Sequence, residues 1–377
     1  MRGEMFTPLL GIDGRPALWP RMGIGTYVRN LLLMLGQSQG FPGGFRVYFD
    51  QEPDEELRSL LAGKYTVLKG GQLRWSKWSL TLELRKHPVK WYLTFVEKGI
   101  PFLGNGSTRY CVVINDMIPW AMRDVYLANY LRRAYYFLNM LLLRCRVDRA
   151  WTISEFSRGQ VSQWLGLDRS NINILTLGIK ALQPSPEEVS DLETTPYFVA
   201  MGGAEPRKNN AFLVELFEVH GPRWGARLLL IGGPWRDRKL EPGSNWVKGI
   251  PSLSDAGLRL LLSRSHGLLF PSLMEGFGLP AIEAMAADCP VICSDSSALP
   301  EVVKDAGILV PTGDPNQWAA AIEKLLTDSE LHGALIRKGK QQVQAHTVEK
   351  MYESFINNVY MLEQGLPSAH ECKKRKE

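Results

Sequence analysis

The chain has little that would cross-link it or span a bilayer. Its five cysteines are odd in number and lack metal-ligand spacing; Cys289 and Cys293 lie close together but in an expected strand region with no partner histidine. Such usage fits a reducing, cytoplasmic setting rather than a disulfide scaffold. No window of about eighteen uncharged apolar residues exists, so no membrane-spanning helix is expected. The longest apolar stretch, Tyr135 to Leu143, is interrupted by Asn139 and flanked by Arg133 and Arg144. The opening MRGEMFTPLLGIDG lacks the apolar core and small-residue cleavage site of a secretory leader. There is no P-loop, no zinc spacing, no nucleic-acid module, no Asp-x-Asp metal motif and no repeat of about 20–50 residues. These absences leave a two-domain globular protein, since 377 residues exceed what one core usually supports.

Charge is unevenly spread beneath a formal net of +5. Residues 1–185 hold 24 Lys and Arg against 14 Asp and Glu, whereas residues 186–377 hold 20 against 25. A basic first half suits an anionic partner: a membrane surface, a lipid diphosphate or a nucleic acid. Within it, residues 72–95 interleave Trp75, Trp78, Trp91 and Tyr92 with Arg74, Lys77, Arg85, Lys86 and Lys90. Aromatics among bases can enter a membrane interface or stack on an acceptor; a helix with core-facing tryptophans explains them equally well. Residues 51–100 otherwise show little regular pattern.

The chain is organised around Pro271 to Glu301. A buried strand, HGLLFPS, leads to Glu275, then to the loop Gly276, Phe277, Gly278, Leu279 and Pro280, then to the helix-former run AIEAMAA with Glu283. Pro280 suits the first helical position. Gly276 and Gly278 allow positive φ and close approach of a ligand, and free amides at the helix start suit a phosphate. Glu283, expected in the helix's first turn, can accept two hydrogen bonds from a ribose-like diol. Glu275, on the loop, can face a sugar. A plain βα junction with surface glutamates is the bland alternative. A second junction, YFVAMG followed by Glu205, Arg207 and Lys208 before a helix starting near Asn209 or Asn210, supplies a bidentate fork and a point charge for a diphosphate.

Elsewhere, LLGID and then Gly23, Ile24 and Gly25 form a strand and glycine turn ahead of an apolar helical run. TRYCVVINDM is a buried strand ending at Asn115 and Asp116. A long helix spans roughly Ala128 to Arg146, and WTIS leads to a helix capped near Ser154 or Ser157. A linker, Ala181 to Pro196, is rich in proline and acidic residues. The last helix has an apolar stripe at 348, 351, 352, 355, 356, 359 and 360. Strand and helix alternate in both halves, which implies two parallel-sheet α/β domains.

The E-x7-E pair Glu275 and Glu283, with the surrounding EGFGLPAIEAMAADCPVICSDSSALPEVV, resembles the donor-binding segment of family 4 retaining glycosyltransferases. Supporting segments run in order from about Leu10 to Tyr360. The resemblance implies a GT-B fold: two Rossmann-like parallel-sheet domains facing a cleft, with a C-terminal helix crossing back to the first. The expected organisation is 1–185 on the acceptor side, 186–345 for the nucleotide sugar, 346–365 as crossover helix and 366–377 as a basic tail. It further implies Glu275, Arg207 and Lys208 as the catalytic set. Gly23, Gly25, Asn115, Gly276, Phe277, Gly278, Leu279, Glu283 and Ile250 would contact the donor, with Ser154, Glu155 and Ser157 on the cleft and backbone near Val247 to Pro251 at the base. Asn115 stands where the family carries histidine, so sugar contact remains open while an imidazole-dependent role is excluded. No metal is expected; the partners implied are a nucleoside diphosphate sugar and a glycan or lipid-diphosphate-linked acceptor, with an anionic membrane surface. The resemblance to bacterial polysaccharide mannosyltransferases makes mannose from GDP-mannose the first choice, with UDP-hexoses or a rhamnosyl donor behind. A non-catalytic nucleotide-sugar-binding or scaffold relative and a sugar-nucleotide epimerase are the alternatives.

Overall fold

The computed structural model describes residues 7–19, 23–38, 40–70, 75–101, 103–104, 106–180, 195–202, 205–232 and 246–364. By its internal contacts the chain divides into one unit of Met1–Gly178 with Val348–Glu377 and a second of Ile179–Thr347. The expected 185/186 boundary and the 366–377 tail lie outside the described residues.

The first unit is built on a seven-stranded sheet. Its strands are β1 (Leu10–Asp13), β2 (Phe45–Phe49), β3 (Tyr65–Val67), β4 (Trp91–Thr94), β5 (Arg109–Val113), β6 (Arg149–Thr152) and β7 (Ile172–Ile174). All pair in parallel, in the order β3-β2-β1-β4-β5-β6-β7. Short, nearly all-apolar strands are what a parallel sheet covered on both faces demands. The helices of this unit include α1 (Gly23–Gln37), α2 (Glu55–Leu60), α3 (Leu80–Lys86), α4 (Tyr130–Arg146) and α5 (Glu155–Leu165). Ser154 caps α5 by accepting from the Ser157 amide, and Gly166 closes it at φ +63°.

The stretch 51–100 is more regular than its sequence suggests, for it supplies α2, β3, α3 and β4. β4 is central, paired to both β1 and β5. Trp75, Trp91 and Tyr92 are accordingly buried, and of the four aromatics proposed for a membrane interface only Trp78 is well exposed. The Trp75 indole donates to the Phe49 carbonyl and lies under the Arg15 guanidinium, 3.7 Å from ring centroid to carbon. That guanidinium is held in turn by the buried Asp13 carboxylate at 2.7 and 2.8 Å.

The second unit carries a six-stranded parallel sheet in the order β10-β9-β8-β11-β12-β13. Its strands are β8 (Tyr197–Met201), β9 (Arg227–Ile231), β10 (Val247–Ile250), β11 (Gly267–Phe270), β12 (Val291–Ser294) and β13 (Ile308–Val310). Its helices include α6 (Asn210–Trp224), α7 (Asp255–Ser263), α8 (Leu279–Ala286), α9 (Leu299–Val303), α10 (Pro315–Thr327) and α11 (Ser329–Val343). Phe198, Phe217, Trp318, Ile322 and Leu325 are at the centre of its core.

The last helix, α12 (Val348–Glu363), belongs to the first unit. It buries Met351, Phe355, Val359 and Leu362, and Phe355 meets Trp151 edge to face at 5.7 Å. Asn358 donates to the Ile174 carbonyl, and the Ser354 hydroxyl accepts from the Thr176 amide.

Candidate active site

In open parallel sheets, ligands gather where the strands end at their carboxyl edge. In the second unit that edge is formed by the loops after β8 and β11, and these loops hold the most charged buried cluster among the described residues. After β8, Gly202 turns at φ +93° and a short turn, Pro206–Lys208, precedes α6. A methyl group on Gly202 would sit 3.0 Å from Cγ of Lys208, so glycine is what lets the lysine stem lie across this backbone. Asn209 takes the left-handed conformation (φ 54°), and Asn210 then donates its carboxamide to the Gly202 carbonyl at 2.6 Å.

After β11 the chain returns at Glu275, which is 6% exposed. Its Oε2 accepts from Arg207 at 2.7 Å and its Oε1 from the Lys208 ammonium at 2.8 Å. Arg207 also pairs with Glu205 through Nε at 2.9 Å. Lys208 lies 4.9 Å above the Phe270 ring, a cation–π contact that helps hold the ammonium at this strand end. The two loops are tied by backbone as well: the Leu273 amide donates to the Arg207 carbonyl at 2.7 Å. Ser297, itself at φ 54°, accepts from the Glu275 amide at 2.8 Å. Two cations, Arg207 and Lys208, thus meet two carboxylates, Glu205 and Glu275, with the buried Glu275 shared between both cations at the mouth of a parallel sheet.

Glu283 occupies α8, but not its first turn. Gly278 at φ +113° is the cap, α8 begins at Leu279, and Pro280 is therefore its second residue. A Cβ on Gly278 would meet Cδ2 of Leu299 at 2.7 Å, so that methyl would have to shift, and the left-handed dihedral itself favours glycine. Gly276 does not share the positive φ. Burial raises the pKa of Glu283, Asp255 in the first turn of α7 raises it further, and Lys208 opposes both. Phe277 is buried against the His346 ring, edge to face at 5.3 Å, so its ring supports the loop from within. Ile250 ends the edge strand β10, where its carbonyl accepts from the Gly232 amide.

In the first unit the expected glycine turn is instead the start of helix α1, with Gly23 and Gly25 as its first and third residues. Asn115 is buried just beyond β5. Its Oδ1 accepts from the Tyr27 hydroxyl at 2.8 Å and its Nδ2 donates to the Phe95 carbonyl at 3.4 Å. The Ser157 hydroxyl donates to the Asn115 carbonyl at 3.0 Å. Burial holds the Tyr27 phenol well above its usual pKa, so it remains a donor. Glu155 pairs with Arg158 on the helix surface. Nearby, Glu97 is shifted towards its neutral form by burial and then by Asp116.

Arg207, Lys208 and Glu275 are thus in direct contact, and Glu283 is electrostatically linked to Lys208. Gly23, Gly25 and Asn115 belong to the other unit. Ser297, Phe270, Tyr27 and Glu97 escaped sequence reasoning. Ser297 and Phe270 act through contacts between segments distant in sequence, and no local pattern marks such contacts.

A family model described as Glycosyl transferases group 1 matches residues 195–328, which contain the whole of this charged cluster. An O-antigen chain mannosyltransferase B from Escherichia coli is 28% identical over 56% of this chain and 60% of its own length. An O-antigen chain mannosyltransferase from Salmonella typhimurium is 25% identical over 67% of this chain and 70% of its own. Sucrose-phosphate synthase from Thermosynechococcus elongatus superposes with a TM-score of 0.72 at 19% identity, covering 96% of this chain and 100% of that one. The match to the first of these relatives spans less than two thirds of its length.

Proposed function

We infer that this chain, which belongs through residues 195–328 to the group 1 glycosyltransferases and has the two-sheet GT-B fold, transfers a hexose from a nucleoside diphosphate sugar with retention at the anomeric carbon. The observation that carries this reading is the contact of Arg207 and Lys208 with Glu275 at the carboxyl edge of the second sheet. As the sugar–phosphate bond breaks, negative charge grows on the departing diphosphate. A guanidinium fork, an ammonium and the α8 amides beyond Gly278 offer fixed positive potential there, and none must reorganise at the moment of reaction. We propose that these groups take the place of a divalent ion, so chelation should leave turnover unchanged.

In the resting state Glu275 holds both cations in position. With donor bound, the diphosphate competes for them, which frees carboxylate lone pairs to orient sugar hydroxyls and to face the positive charge developing on the ring. Glu283 would accept from the ribose diol, and backbone near Ile250 would border the base. Asn115, its carboxamide fixed by Tyr27, has hydrogen-bonding capacity left for the transferred sugar but no proton to shuttle. Mannose from GDP-mannose is our first choice of donor, supported by the two O-antigen mannosyltransferase relatives. A glycan or lipid-diphosphate-linked acceptor in cell-surface polysaccharide synthesis is the corresponding choice on the other side.

The test is a thermal-shift panel of GDP, UDP, dTDP and ADP with their common sugars, on wild type, Arg207→Ala and Glu283→Ala. One nucleotide sugar should stabilise the wild type and neither variant. A folded wild type that answers to no nucleotide would sink the reading in favour of a non-catalytic relative. Interconversion of sugar nucleotides without acceptor would replace it with an epimerase.

A further inference from the structure

Helix α4 wears its apolar residues on the outside. Of its seventeen positions, ten are exposed, and eight of those ten are uncharged. Tyr130, Leu131, Phe137, Leu138 and Leu141 lead this face, with Tyr130 77%, Leu131 66% and Leu138 62% exposed. They recur at helical spacing, so they form one stripe along the helix. The opposite face, with Asn139 and Leu143, is what docks the helix on its own unit. A soluble monomer seldom leaves so continuous a stripe to water, and a stripe of this kind marks an interaction surface.

The charges name the partner. The two charged exposed residues of α4 are Arg132 and Arg144, and the helix carries no Asp or Glu at all. Arg123, just before it, is exposed beside the Trp120 ring, which stacks on Phe137 at 6.3 Å. An apolar stripe with aromatic residues and flanking arginines matches a bilayer interface bearing anionic headgroups: rings and leucines at the acyl boundary, guanidinium groups at the phosphates. We propose that α4 is a membrane-docking helix that seats the first unit on an anionic lipid surface. This moves the interfacial role from the 72–95 stretch, whose aromatics are mostly buried, to a helix seventeen residues long that lies flat rather than spans. It would also keep the protein at the surface where the lipid-linked acceptor of the proposed reaction resides; it rests on that reading only for its purpose.

The experiment is co-sedimentation of the full chain with sucrose-loaded vesicles, without donor or acceptor, so that its outcome is separate from any failure of transfer. Vesicles of phosphatidylcholine with about 30% phosphatidylglycerol are compared with phosphatidylcholine alone. Wild type should pellet with the anionic vesicles and release as salt rises. Phe137→Ser with Leu138→Ser should lower the partition coefficient roughly tenfold, because both side chains are solvent-exposed and their loss removes apolar anchoring without opening a core. Arg132→Ala with Arg144→Ala should weaken binding and flatten its salt dependence. Unchanged melting temperatures in both variants would show that the fold is intact. Wild type remaining in the supernatant with both vesicles overturns the proposal. So does pelleting that ignores the Phe137 and Leu138 changes. Sedimentation velocity showing a wild-type dimer that those same changes dissolve, with no vesicle binding, assigns the face to a second copy instead.

Discussion

Replacing Glu275 by glutamine should make the protein less stable and, at the same time, a tighter binder of the bare nucleoside diphosphate. The carboxylate accepts from Arg207 at 2.7 Å and from Lys208 at 2.8 Å, with side-chain exposures of 8% for Glu275 and 10% for Lys208. Charge-assisted bonds of this kind are worth about 1.5–3 kcal/mol each. Glutamine keeps one acceptor oxygen but turns its amide towards the other cation, so the net loss should be about 2–3 kcal/mol. For a unit of this size that lowers the melting temperature by roughly 5–10 °C. The charge of the cluster meanwhile rises by one unit, from 0 to +1 counted over Glu205, Arg207, Lys208 and Glu275. One unit of charge about 6 Å from a diphosphate, at an effective dielectric constant near 20, is worth up to about 3 kcal/mol. After solvent screening we expect roughly tenfold tighter binding of GDP, or of whichever diphosphate the panel selects. Turnover should fall if Glu275 orients the sugar as proposed, because that group has lost its charge. Scanning calorimetry with and without the diphosphate reads the first two effects, and a transfer assay reads the third. General damage to the fold cannot lower stability and raise affinity together. A variant with unchanged melting temperature and unchanged or weaker diphosphate binding would refute the idea that Glu275 restrains the two cations.

Glu283 should make donor binding depend on pH. Its folded-state pKa is raised by burial and Asp255, so the free protein holds this carboxyl protonated above the ordinary glutamate range. Folding therefore loses stability as pH rises from the unfolded pKa through the raised one. A diol donates to the ionised form, so affinity should climb over that same interval; calorimetric titration would show this, and Glu283→Gln should abolish the slope. Gly278→Ala sets a Cβ 2.7 Å from Leu299 at φ +113° and should cost about 2–4 kcal/mol, measured by denaturant unfolding. Tyr27→Phe leaves the buried Oδ1 of Asn115 without its donor and should destabilise the first unit by about 1–3 kcal/mol, with no effect on diphosphate binding to the second. Phe355→Ala, which empties a fully buried site against Trp151, should cost about 3–5 kcal/mol in the same unit.

Much of the second unit could be read before its structure was known, because a parallel strand is a short apolar run and a βα junction advertises itself through glycine and proline. HGLLFPS and PVICS became β11 and β12, and Arg207 and Lys208 fell at the turn before α6. The central strand β4 stayed hidden. Four residues leave no periodicity to detect, and Lys90 before Trp91 and Tyr92 made a buried strand look interfacial. Helix α4 was legible as a helix over roughly Ala128 to Arg146, but only the fold reveals which side of it faces water. At the site, residue types were legible and contacts were not. Lys208 and Glu275 are 67 positions apart, and their bond depends on how two loops meet at adjacent strand ends. That Gly278 rather than Gly276 takes the positive φ, and that α8 starts one residue earlier than expected, no local pattern specifies.

The assignment of α12 to the first unit has a consequence for biosynthesis. Residues Ile179–Thr347 leave the ribosome as one uninterrupted block, so the second unit can close its core during translation. The first unit has all seven strands by Ile174, yet Trp151 and Ile172–Ile174 lack their cover until Phe355, Asn358 and Val359 are made. At about 5–20 residues per second, that wait is roughly 10–35 s. During it, the sheet edge at β7 and the apolar side of β6 are open to chaperones and to neighbouring nascent chains. The half of the protein synthesised first is therefore the half that matures last, and a ribosome stalled before Val348 would release a finished second unit joined to an unfinished first one.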